Sequence, residues 1–313
     1  MTEPTEQCPA PLFSIIIPHH NIPRLLQRCL DSIPHRPDLE IVVVDDNSDP
    51  KVVDFSHFPG QDDPRVHLIF DKVGGGAGHA RNVALDAARG RWIICADADD
   101  FFLPSFNSLL NKYAHSDFDV VYFNAISLDS DTYAVSHRTR HVNQWHTLAA
   151  RNPQAAEAHF RHEFGEPWAK IISAQLLTLN HIRCAPIPIH NDTQFGYLIG
   201  YHARTVALEP TAAYCLTTRS GSVSQGVGRE KEMVRIDVFC QKQRFARDHN
   251  LPFYDLFHYD QLASFLLHLR FADFRAGLQI ARCHGVCNIP FILRIIWRAV
   301  VIVLRKIKKV VFG

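Results

Sequence analysis

Alternating apolar runs and helical patterns dominate the first 125 residues of the chain. Phe13–Ile17 and Glu40–Val44 are short runs rich in β-branched residues and ended by turn formers, as is typical of buried parallel strands. Apolar residues recur at helical spacing between them, which predicts a βαβ unit. The pattern continues with three strands, over 66–70, 91–96 and 120–125, and with two helices, over 80–88 and 105–113. Strands that alternate with helices predict an α/β fold with a doubly wound, mainly parallel sheet flanked by helices.

The second half of the chain is less regular. Residues 126–165 predict a variable, partly helical connection, and 229–285 predict a C-terminal helical region. The remaining predictions are helices over Trp168–Leu179 and Gln194–Ala203, and strands over Val206–Glu209 and Ala213–Thr217. We therefore expect a main domain over 12–225, with a regular half over 12–125 and a less regular half over 126–225. A helical region over 226–288 and a tail over 289–313 follow it.

Polar clusters follow four of the predicted strands, in each case just after the strand ends. They are Pro18-His19-His20-Asn21, Asp45-Asp46-Asn47-Ser48, Gly74 to Gly78, and Asp97-Ala98-Asp99-Asp100. Ligands bind at the carboxyl edge of open α/β sheets, where such clusters meet. The sequence therefore predicts a ligand site at this edge.

The carboxylates of residues 97–100 follow a buried strand, where unpaired charges are destabilising. In an extended backbone Asp97 and Asp99 would point to the same side and could hold one divalent cation, leaving positions open for phosphate oxygens. The alternative is an acidic turn that caps the next helix through Asp99 or Asp100.

Two further clusters have a functional and a structural interpretation. Asp45 and Asp46 could accept hydrogen bonds from a nucleotide base such as uracil, or could simply stabilise a turn. The glycines at 74–78 would let the backbone approach a ligand, and Arg81 could pair with the acidic cluster or a phosphate. The alternative is a flexible loop followed by a solvated arginine.

Composition limits the class of protein. The chain has 313 residues, a net charge of +1, and 47% hydrophobic residues, which is typical of a soluble globular protein. A balanced charge argues against a nucleic-acid partner. Eight scattered cysteines without a signal peptide favour reduced thiols in the cytoplasm.

The tail is the one strongly basic segment. Residues 289–313 contain six cations and no acid, namely Arg294, Arg298, Arg305, Lys306, Lys308 and Lys309. On a helix these cations fall within about 160°, opposite an aliphatic face. This pattern favours a helix lying on an anionic membrane surface, and the alternative is a helix packed on its own domain. We accordingly expect peripheral attachment to the inner face of the membrane.

Several motifs in residues 12–125 together resemble family-2 glycosyltransferases of the GT-A fold. They are Ile15-Ile16-Ile17-Pro18-x-x-Asn21, Leu30-Asp31-Ser32, Glu40-Ile41-Val42-Val43-Val44-Asp45-Asp46-Asn47-Ser48, Gly78-x-Ala80-Arg81-Asn82-x-Ala84-Leu85, Gly90-Arg91-Trp92-Ile93 and Asp97-Ala98-Asp99-Asp100. Each motif is modest alone, but their order and spacing are specific. The resemblance implies a GT-A fold and inverting transfer from a nucleotide sugar. It also implies that 12–125 is the nucleotide-binding half of the main domain and 126–225 the acceptor half.

The resemblance also implies roles for individual residues. Asp97-Ala98-Asp99 looks like the DXD motif, in which Asp97 and Asp99 would bind Mn²⁺ or Mg²⁺. Asp46, with Asp45, would contact the base, and Arg81 would steady that end of the site. The implied nucleotide-sugar-binding residues are Pro18, Asn21, Asp45, Asp46, Gly78, Arg81, Asp97 and Arg219.

The later motifs match less closely. Asn191-Asp192 stands where the family often has Glu-Asp, Trp168-Ala169-Lys170 resembles a Trp-x-Lys motif, and Arg219-x-x-Ser222 resembles an arginine motif near the diphosphate. His20 and Asn47 also depart from the usual residues. The family position makes Asp192 the expected catalytic base, which would remove a proton from the acceptor hydroxyl. The alternative for Asp192 is a helix N-cap.

These expectations combine into one function. The chain is expected to transfer a sugar from a nucleoside diphosphate, UDP by expectation, to a glycan or polyprenyl-linked saccharide in cell-surface polysaccharide synthesis. One alternative is a non-catalytic nucleotide-sugar-binding protein at the membrane. A nucleotidyltransferase is disfavoured, because a basic glycine-rich loop should then follow the first strand.

Overall fold

The computed structural model describes residues 10–219, 228–253 and 255–312, with the side chains of the last helix up to Ile307. The chain divides into two compact units, Met1–Ser220 and Gly221–Gly313. The predicted boundary at residue 225, Ser222, and the side chains of Lys308 and Lys309 lie outside the described residues.

A single sheet forms the centre of the first unit. Its strands within the described residues are β1 (Phe13–His19), β2 (Leu39–Asp46), β3 (Val66–Asp71), β4 (Trp92–Cys95), β5 (Phe101–Phe102), β6 (Val120–Asp129), β7 (Lys170–Ser173) and β8 (Val206–Thr218). Their order across the sheet is β3-β2-β1-β4-β7-β6-β8-β5. The two strands predicted over 206–217 are one continuous strand, β8, whose pairing with β6 shifts register around Asn124.

The sheet is parallel in its first half and mixed in its second. β1 pairs in parallel with β2 and β4, and β2 pairs in parallel with β3. β7 runs antiparallel to both β4 and β6, whereas β6 and β8 are parallel and β5 is antiparallel to β8. The α/β architecture with flanking helices is confirmed, and the second half adds antiparallel pairings that the alternating pattern did not predict.

The helices of the first unit flank this sheet. They are α1 (Pro23–Asp31), α2 (Gly76–Ala87), α3 (Ser105–Tyr113), α4 (Arg140–Ala149), α5 (Pro153–His162), α6 (Ala174–Leu179) and α7 (Thr193–His202), with a short 3₁₀ turn at Phe55–His57. The helix predicted over Trp168–Leu179 is wrong in its first half, where strand β7 precedes α6. Ala169 has a φ of 55°, which ends any helical path, and Ile171 and Ile172 are fully buried as in a central strand.

Helix α7 contacts the backbone of the segment that ends α5. A Cβ atom on Gly200 would lie 1.9 Å from the carbonyl oxygen of Arg161, and one on Gly196 would lie 2.5 Å from Cα of Gly165. Only glycine fits at both positions, because real Cβ atoms do not approach other atoms so closely. The start of α7 is thereby held in one place.

The second unit is helical, as the sequence predicts for the C-terminal region. Its described helices are α8 (Arg229–Asp248), α9 (Phe257–Leu267), α10 (Phe271–Cys283) and α11 (Ile289–Phe312). They share a core of their own that includes Tyr259 and Leu262 of α9 and Phe291 and Ile295 of α11. In the part of the chain that the structure describes, no helix is both long enough and apolar enough to cross a membrane.

Candidate active site

The loops that follow β1 and β2 are joined by a buried hydrogen-bond network centred on Asp45. The Asp45 carboxylate contacts Nδ1 of His19 at 2.8 Å and accepts a bond from the Ser48 hydroxyl at 2.6 Å. The Asn21 backbone N–H donates to the same hydroxyl at 2.9 Å. Burial acts to raise the pKa of Asp45, but the bonds from His19 and Ser48 outweigh it and the pKa is lowered. Asp45 therefore fixes the two loops and is only 1% exposed.

Asp46 presents a different environment from its neighbour. One oxygen accepts a 2.8 Å hydrogen bond from the backbone N–H of Gly76, and the other, Oδ1, is buried with no partner among the described residues. A buried acceptor without a donor is costly, so such an atom suits a ligand N–H. Pro18 lies near the end of β1 opposite Val44, and Asn21 adopts a φ of 57° in the loop after it. Of the two neighbouring carboxylates, only Asp46 has an oxygen to offer.

Residues 97–100, which we term the acidic turn, follow β4. The backbone N–H of Asp100 donates to the carbonyl of Asp97 at 3.0 Å, so the segment is a turn. The extended backbone assumed from the sequence is therefore wrong. Strand β8 holds the turn: the Tyr214 hydroxyl accepts from the Asp97 N–H at 2.9 Å and donates to Asp100 at 2.9 Å, and the Thr217 N–H donates to Asp100 at 2.7 Å.

Two of the three carboxylates in the acidic turn, Asp97 and Asp99, pair with arginines. Nη2 of Arg81 lies 2.6 Å from Oδ1 of Asp97, and Nε of Arg219 lies 2.9 Å from Oδ2 of Asp99. Burial raises the pKa of Asp99, and repulsion from Asp97 raises it further despite the Arg219 contact. Burial is also the main cause that holds the pKa of Asp100 well above its usual range, and repulsion from Asp97 and Asp99 adds to it. The three carboxyl groups of the turn thus repel one another, and arginines pair with two of them.

The donor chemistry of the acidic turn fits a hard divalent cation. Among the described residues no group of three or more His, Cys, Asp or Glu side chains is arranged to hold a metal ion. Asp97 and Asp99 nevertheless supply two carboxylates, each with one oxygen outside the ion pairs described above. Mg²⁺ is usually held by one or two carboxylates together with substrate phosphates and water. These two residues are therefore the ones that could hold a metal.

Asp192 directly precedes α7, at the N-cap position. Its side chain makes no capping hydrogen bond, so the helix-cap alternative lacks its main interaction. Burial raises the pKa of Asp192 to about 6, with Arg81 acting to lower it and Glu166 to raise it. A carboxylate with a pKa near neutrality suits a general base. The neighbouring Asn191 accepts a 2.9 Å bond from Nη1 of Arg81.

Gly78 allows the loop that carries Asp192 to approach α2. A Cβ atom at this position would lie 2.5 Å from the carbonyl oxygen of Ala185 and 2.8 Å from Cβ of Asn191. Gly78 therefore has a packing role, because a larger residue would collide with this loop. Its predicted role in binding the nucleotide sugar stays a prediction. Arg81, one turn further along α2, uses this proximity to reach both Asn191 and Asp97.

Three residues that support the site had weak or no signals in the sequence. Tyr214 and Thr217 hold the acidic turn from more than 100 residues away. Lys170 belongs to a motif noted in the sequence, but its fully buried position over the ring of Phe164, with Nζ 3.4 Å from the centroid, was not predicted. Burial lowers the pKa of Lys170 to about 7. In the sequence, the only local sign that Lys170 is buried is its place directly before two isoleucines.

The arrangement of a mixed sheet, flanking helices and carboxylates at the strand ends is that of a GT-A-type protein. A family model described as "Glycosyl transferase family 2" matches residues 14–170, about half of the chain. The chain belongs to glycosyl transferase family 2.

Similar proteins match this chain over limited segments. EpsJ of Bacillus subtilis, described as an uncharacterized glycosyltransferase, is 31% identical over 114 residues, which cover 36% of this chain and 33% of EpsJ. The hyaluronan synthase of Pasteurella multocida is 35% identical over 96 residues, covering 30% of this chain and 10% of the synthase. These matches therefore span a third or less of each relative's own length.

Solved structures confirm the fold. The structure of Staphylococcus aureus TarS 1–349 in complex with UDP-GlcNAc has a TM-score of 0.56 and 18% sequence identity, and the match covers 91% of this chain and 79% of that one. At this identity the likeness concerns the fold, which is that of the GT-A family.

Proposed function

We propose that this chain is an inverting glycosyltransferase that moves a sugar from a UDP-linked donor to a hydroxyl of a saccharide acceptor. The observation that carries the proposal is the double contact of Arg81, which bonds Asp97 at 2.6 Å and Asn191 at 2.9 Å. This contact joins the acidic turn to the loop that carries Asp192. Groups suited to leaving-group stabilisation and to proton removal thus lie on two sides of one arginine.

The donor end of the proposed site consists of the loops after β1 and β2. Asp46 is the residue proposed to accept from the base, because its Oδ1 is buried and unpartnered within the described chain. Asp45 holds the loops on both sides of this position through its hydrogen bonds with His19 and Ser48. A UDP-linked donor is supported by the TarS complex with UDP-GlcNAc, although that protein shares only the fold.

The proposed chemistry is a direct displacement at the anomeric carbon. Asp192 takes the proton of the acceptor hydroxyl while the acceptor oxygen bonds to the anomeric carbon. The bond from that carbon to the leaving diphosphate breaks on the opposite face. Asp97 and Asp99 would hold Mn²⁺ or Mg²⁺, which when bound supplies positive charge for the diphosphate. Arg219 provides a second cation at the same turn. One displacement inverts the configuration at the anomeric carbon.

The acceptor is proposed to be a glycan or a lipid-linked saccharide used in cell-surface polysaccharide synthesis. Support comes from the similarity to a hyaluronan synthase, which covers 30% of this chain. The placement of the chain at a membrane surface, argued next, is also consistent with a lipid-linked acceptor.

Helix α11 has an exposed apolar face. Eight large side chains on it are each at least 39% exposed: Ile289, Leu293, Ile296, Trp297, Val300, Val303, Leu304 and Ile307. At 100° per residue they fall within about 120° of one another. Such a contiguous patch is unusual on a protein surface and marks an interaction site.

The other face of α11 packs within the second unit. Phe291 and Ile295 are each 1% exposed, and the buried Arg298 forms an ion pair with the partly exposed Asp260 of α9. The expectation that Arg298 belongs to a free basic face is therefore wrong, because its charge is used inside the unit. Arg294, Arg305 and Lys306 remain exposed beside the apolar face. We propose that this apolar face, flanked by cations, attaches the protein peripherally to an anionic membrane.

Donor turnover by the intact chain tests the catalytic proposal. A panel of nucleotide sugars is screened for thermal stabilisation with and without Mn²⁺, and the best donor is assayed for release of its nucleotide. We expect stabilisation by a UDP-sugar that depends on the metal, and turnover that Asp192→Asn lowers by roughly 10²–10⁴-fold. The assay includes a panel of oligosaccharide acceptors, because the sugar needs a hydroxyl to receive it. Donor binding without nucleotide release with any of them would instead identify a non-catalytic binding protein. If no nucleotide sugar stabilises the chain, the proposal fails.

A further inference from the structure

A groove of about 660 Å³ lies between the end of β6 and the first turns of α4. Ile126 and Leu128 of β6 line one wall, and a bridge between Leu128 and Val135 brings the following segment against it. Arg140, Gln144 and Thr147 line the other wall, at helical spacing on one face of α4. Its volume lies within the range of small-ligand sites, typically about 300–1,000 Å³.

The strand end that lines the groove is tied to the acidic turn. The guanidinium of Arg28 donates to the carbonyl of Ser130 at 3.2 Å and to the carbonyl of Asp99 at 2.5 Å, so it joins the chain just after β6 to the turn. The Thr218 hydroxyl donates to the carbonyl of Leu128 at 3.3 Å, one residue before Arg219. Leu128, which lines the groove, is therefore two residues from the point where Arg28 joins the chain to the backbone of Asp99.

Helix α4 also contacts the segment that precedes β7. His141, next to Arg140, lies 3.5 Å from the carboxylate of Glu166. The charge of Glu166 acts to raise the pKa of Asp192. The helix that lines the groove therefore also carries a residue in contact with a carboxylate that influences Asp192.

The groove offers both polar and apolar contacts. His137, Arg140 and Gln144 are exposed, and the hydroxyl of Ser136 is buried with no partner among the described residues. Ile126 and Val135 add exposed apolar surface, 37% and 79% respectively. Saccharides present hydroxyl groups around apolar C–H faces, so this mixture suits them better than a purely apolar ligand. The lining includes an arginine and a histidine but no carboxylate, which favours neutral or acidic sugars.

We propose that this groove binds the saccharide portion of the acceptor and that Arg140 and Gln144 determine its specificity. The proposal rests on the proposed function in taking the acceptor to be a saccharide. Arg140 would donate up to five hydrogen bonds to hydroxyl or carboxylate oxygens, and Gln144 would both donate and accept. The Ser136 hydroxyl would complete its hydrogen bonding with the ligand.

Saccharide binding by the full chain tests this proposal. The wild type, Arg140→Ala/Gln144→Ala and the matched control Arg151→Ala/Gln154→Ala are applied to an array of neutral and uronate-containing oligosaccharides. Arg151 and Gln154 are exposed and do not line the groove. We expect the wild type and the control to retain the same saccharides, and the groove variant to lose at least about tenfold in affinity, the equivalent of one or two hydrogen bonds.

Two results would overturn the proposal: a wild type that retains no saccharide, or a groove variant that binds as the wild type does. Stabilisation by UDP with Mn²⁺ is measured on the same samples, so that unfolding or damage to the donor site is recognised. Nucleotide release by the wild type, measured separately, shows whether the catalytic proposal stands when the groove proposal fails.

Discussion

Arg81 and Asp97 form an ion pair of 2.6 Å that joins helix α2 to the acidic turn. The same guanidinium also bonds Asn191 at 2.9 Å, and its side chain is only 6% exposed. Arginine can serve two acceptors at fixed angles because its donors form a rigid planar fork. The position of the loop that carries Asp192 therefore depends on the same side chain that orients Asp97.

Replacing Arg81 by lysine should separate its charge from its geometry. Lysine keeps the positive charge, but its single ammonium cannot reproduce the fork that serves Asp97 and Asn191 together. We expect turnover to fall by about 10- to 100-fold, the effect of losing one charge-assisted hydrogen bond. Arg183→Lys is the control, since Arg183 forms an exposed pair with Asp86. Turnover within twofold of the wild type in Arg81→Lys would contradict the double contact.

Arg219→Ala should change metal and donor affinity in opposite directions. Arg219 holds Asp99 at 2.9 Å, and both side chains are about a quarter exposed or less. Its removal frees the Asp99 carboxylate, so binding of Mn²⁺ alone should strengthen, by roughly fivefold for an ion pair worth about 1 kcal/mol. The KM for the donor should rise by about tenfold or more, because a cation near the diphosphate is lost. Calorimetry and steady-state kinetics measure the two effects, and a parallel loss of both affinities would refute this account.

The pH profile of turnover should report Asp192. Its pKa is raised to about 6, chiefly by burial, and a general base must be deprotonated to act. Turnover should therefore be level above about pH 7 and should fall about tenfold per pH unit well below pH 6. The rate is measured at saturating donor with stability checked at each pH. A profile that stays flat down to about pH 5 would exclude Asp192 as the base.

Asp192→Asn should stabilise the fold at neutral pH while abolishing most turnover. Because the folded-state pKa is above the ordinary value of 3.8, the folded state binds the proton more tightly, and stability falls as pH rises from about 4 to about 6. Asparagine carries no charge to desolvate. The variant should gain at most about 3 kcal/mol in the free energy of unfolding above pH 6 and little below pH 4. Denaturant titrations at both pH values measure this gain, and equal stability changes at the two would contradict it.

The exposed face of α11 should control binding to anionic vesicles. Leu293, Trp297 and Leu304 lie on this face, so replacing all three by Gln should remove several kcal/mol of apolar burial in lipid. We expect the wild type to sediment with anionic vesicles at low salt, more weakly at high salt, and the variant to stay in solution. Val73→Gln/Leu179→Gln, which alters exposed apolar residues of the first unit, is the control.

Point substitutions are preferable here to deletion of the whole helix. Phe291 and Ile295 of α11 belong to the core of the second unit, so its removal would expose that core. A wild type that ignores anionic vesicles at low salt would refute the membrane proposal.

The sequence was most informative where local pattern decides structure. Short β-branched runs ended by Pro18 or by Asp45 identify parallel strands, and polar residues after such strands converge because the strand ends share one edge. The positions of the clusters could therefore be predicted. Their internal bonding could not be predicted. Asp45 and Asp46 have the same chemistry, and only the contacts with His19 and Ser48 in the folded chain show that the Asp45 carboxylate is used inside the protein.

Long-range contacts account for most of what was missed. Tyr214 supports the acidic turn across 114 residues of chain, and no local pattern indicates that hydroxyl. Arg298 looks like any other cation of the tail until Asp260 is placed beside it. The strand at Lys170–Ser173 is short and precedes a helix, so its apolar pattern merges with that of α6.

The two glycines of α7 restrict how this protein can diverge. Alanine at Gly196 or Gly200 would place a methyl group 2.5 or 1.9 Å from backbone atoms at or just after the end of α5, and no side-chain rearrangement can relieve this clash. Descendants of this sequence can thus vary α4 and the groove beside it, whereas the packing of α7, which Asp192 directly precedes, is constrained. If the proposed function holds, new acceptors would be acquired through changes in the groove, while Asp192 keeps an inherited position.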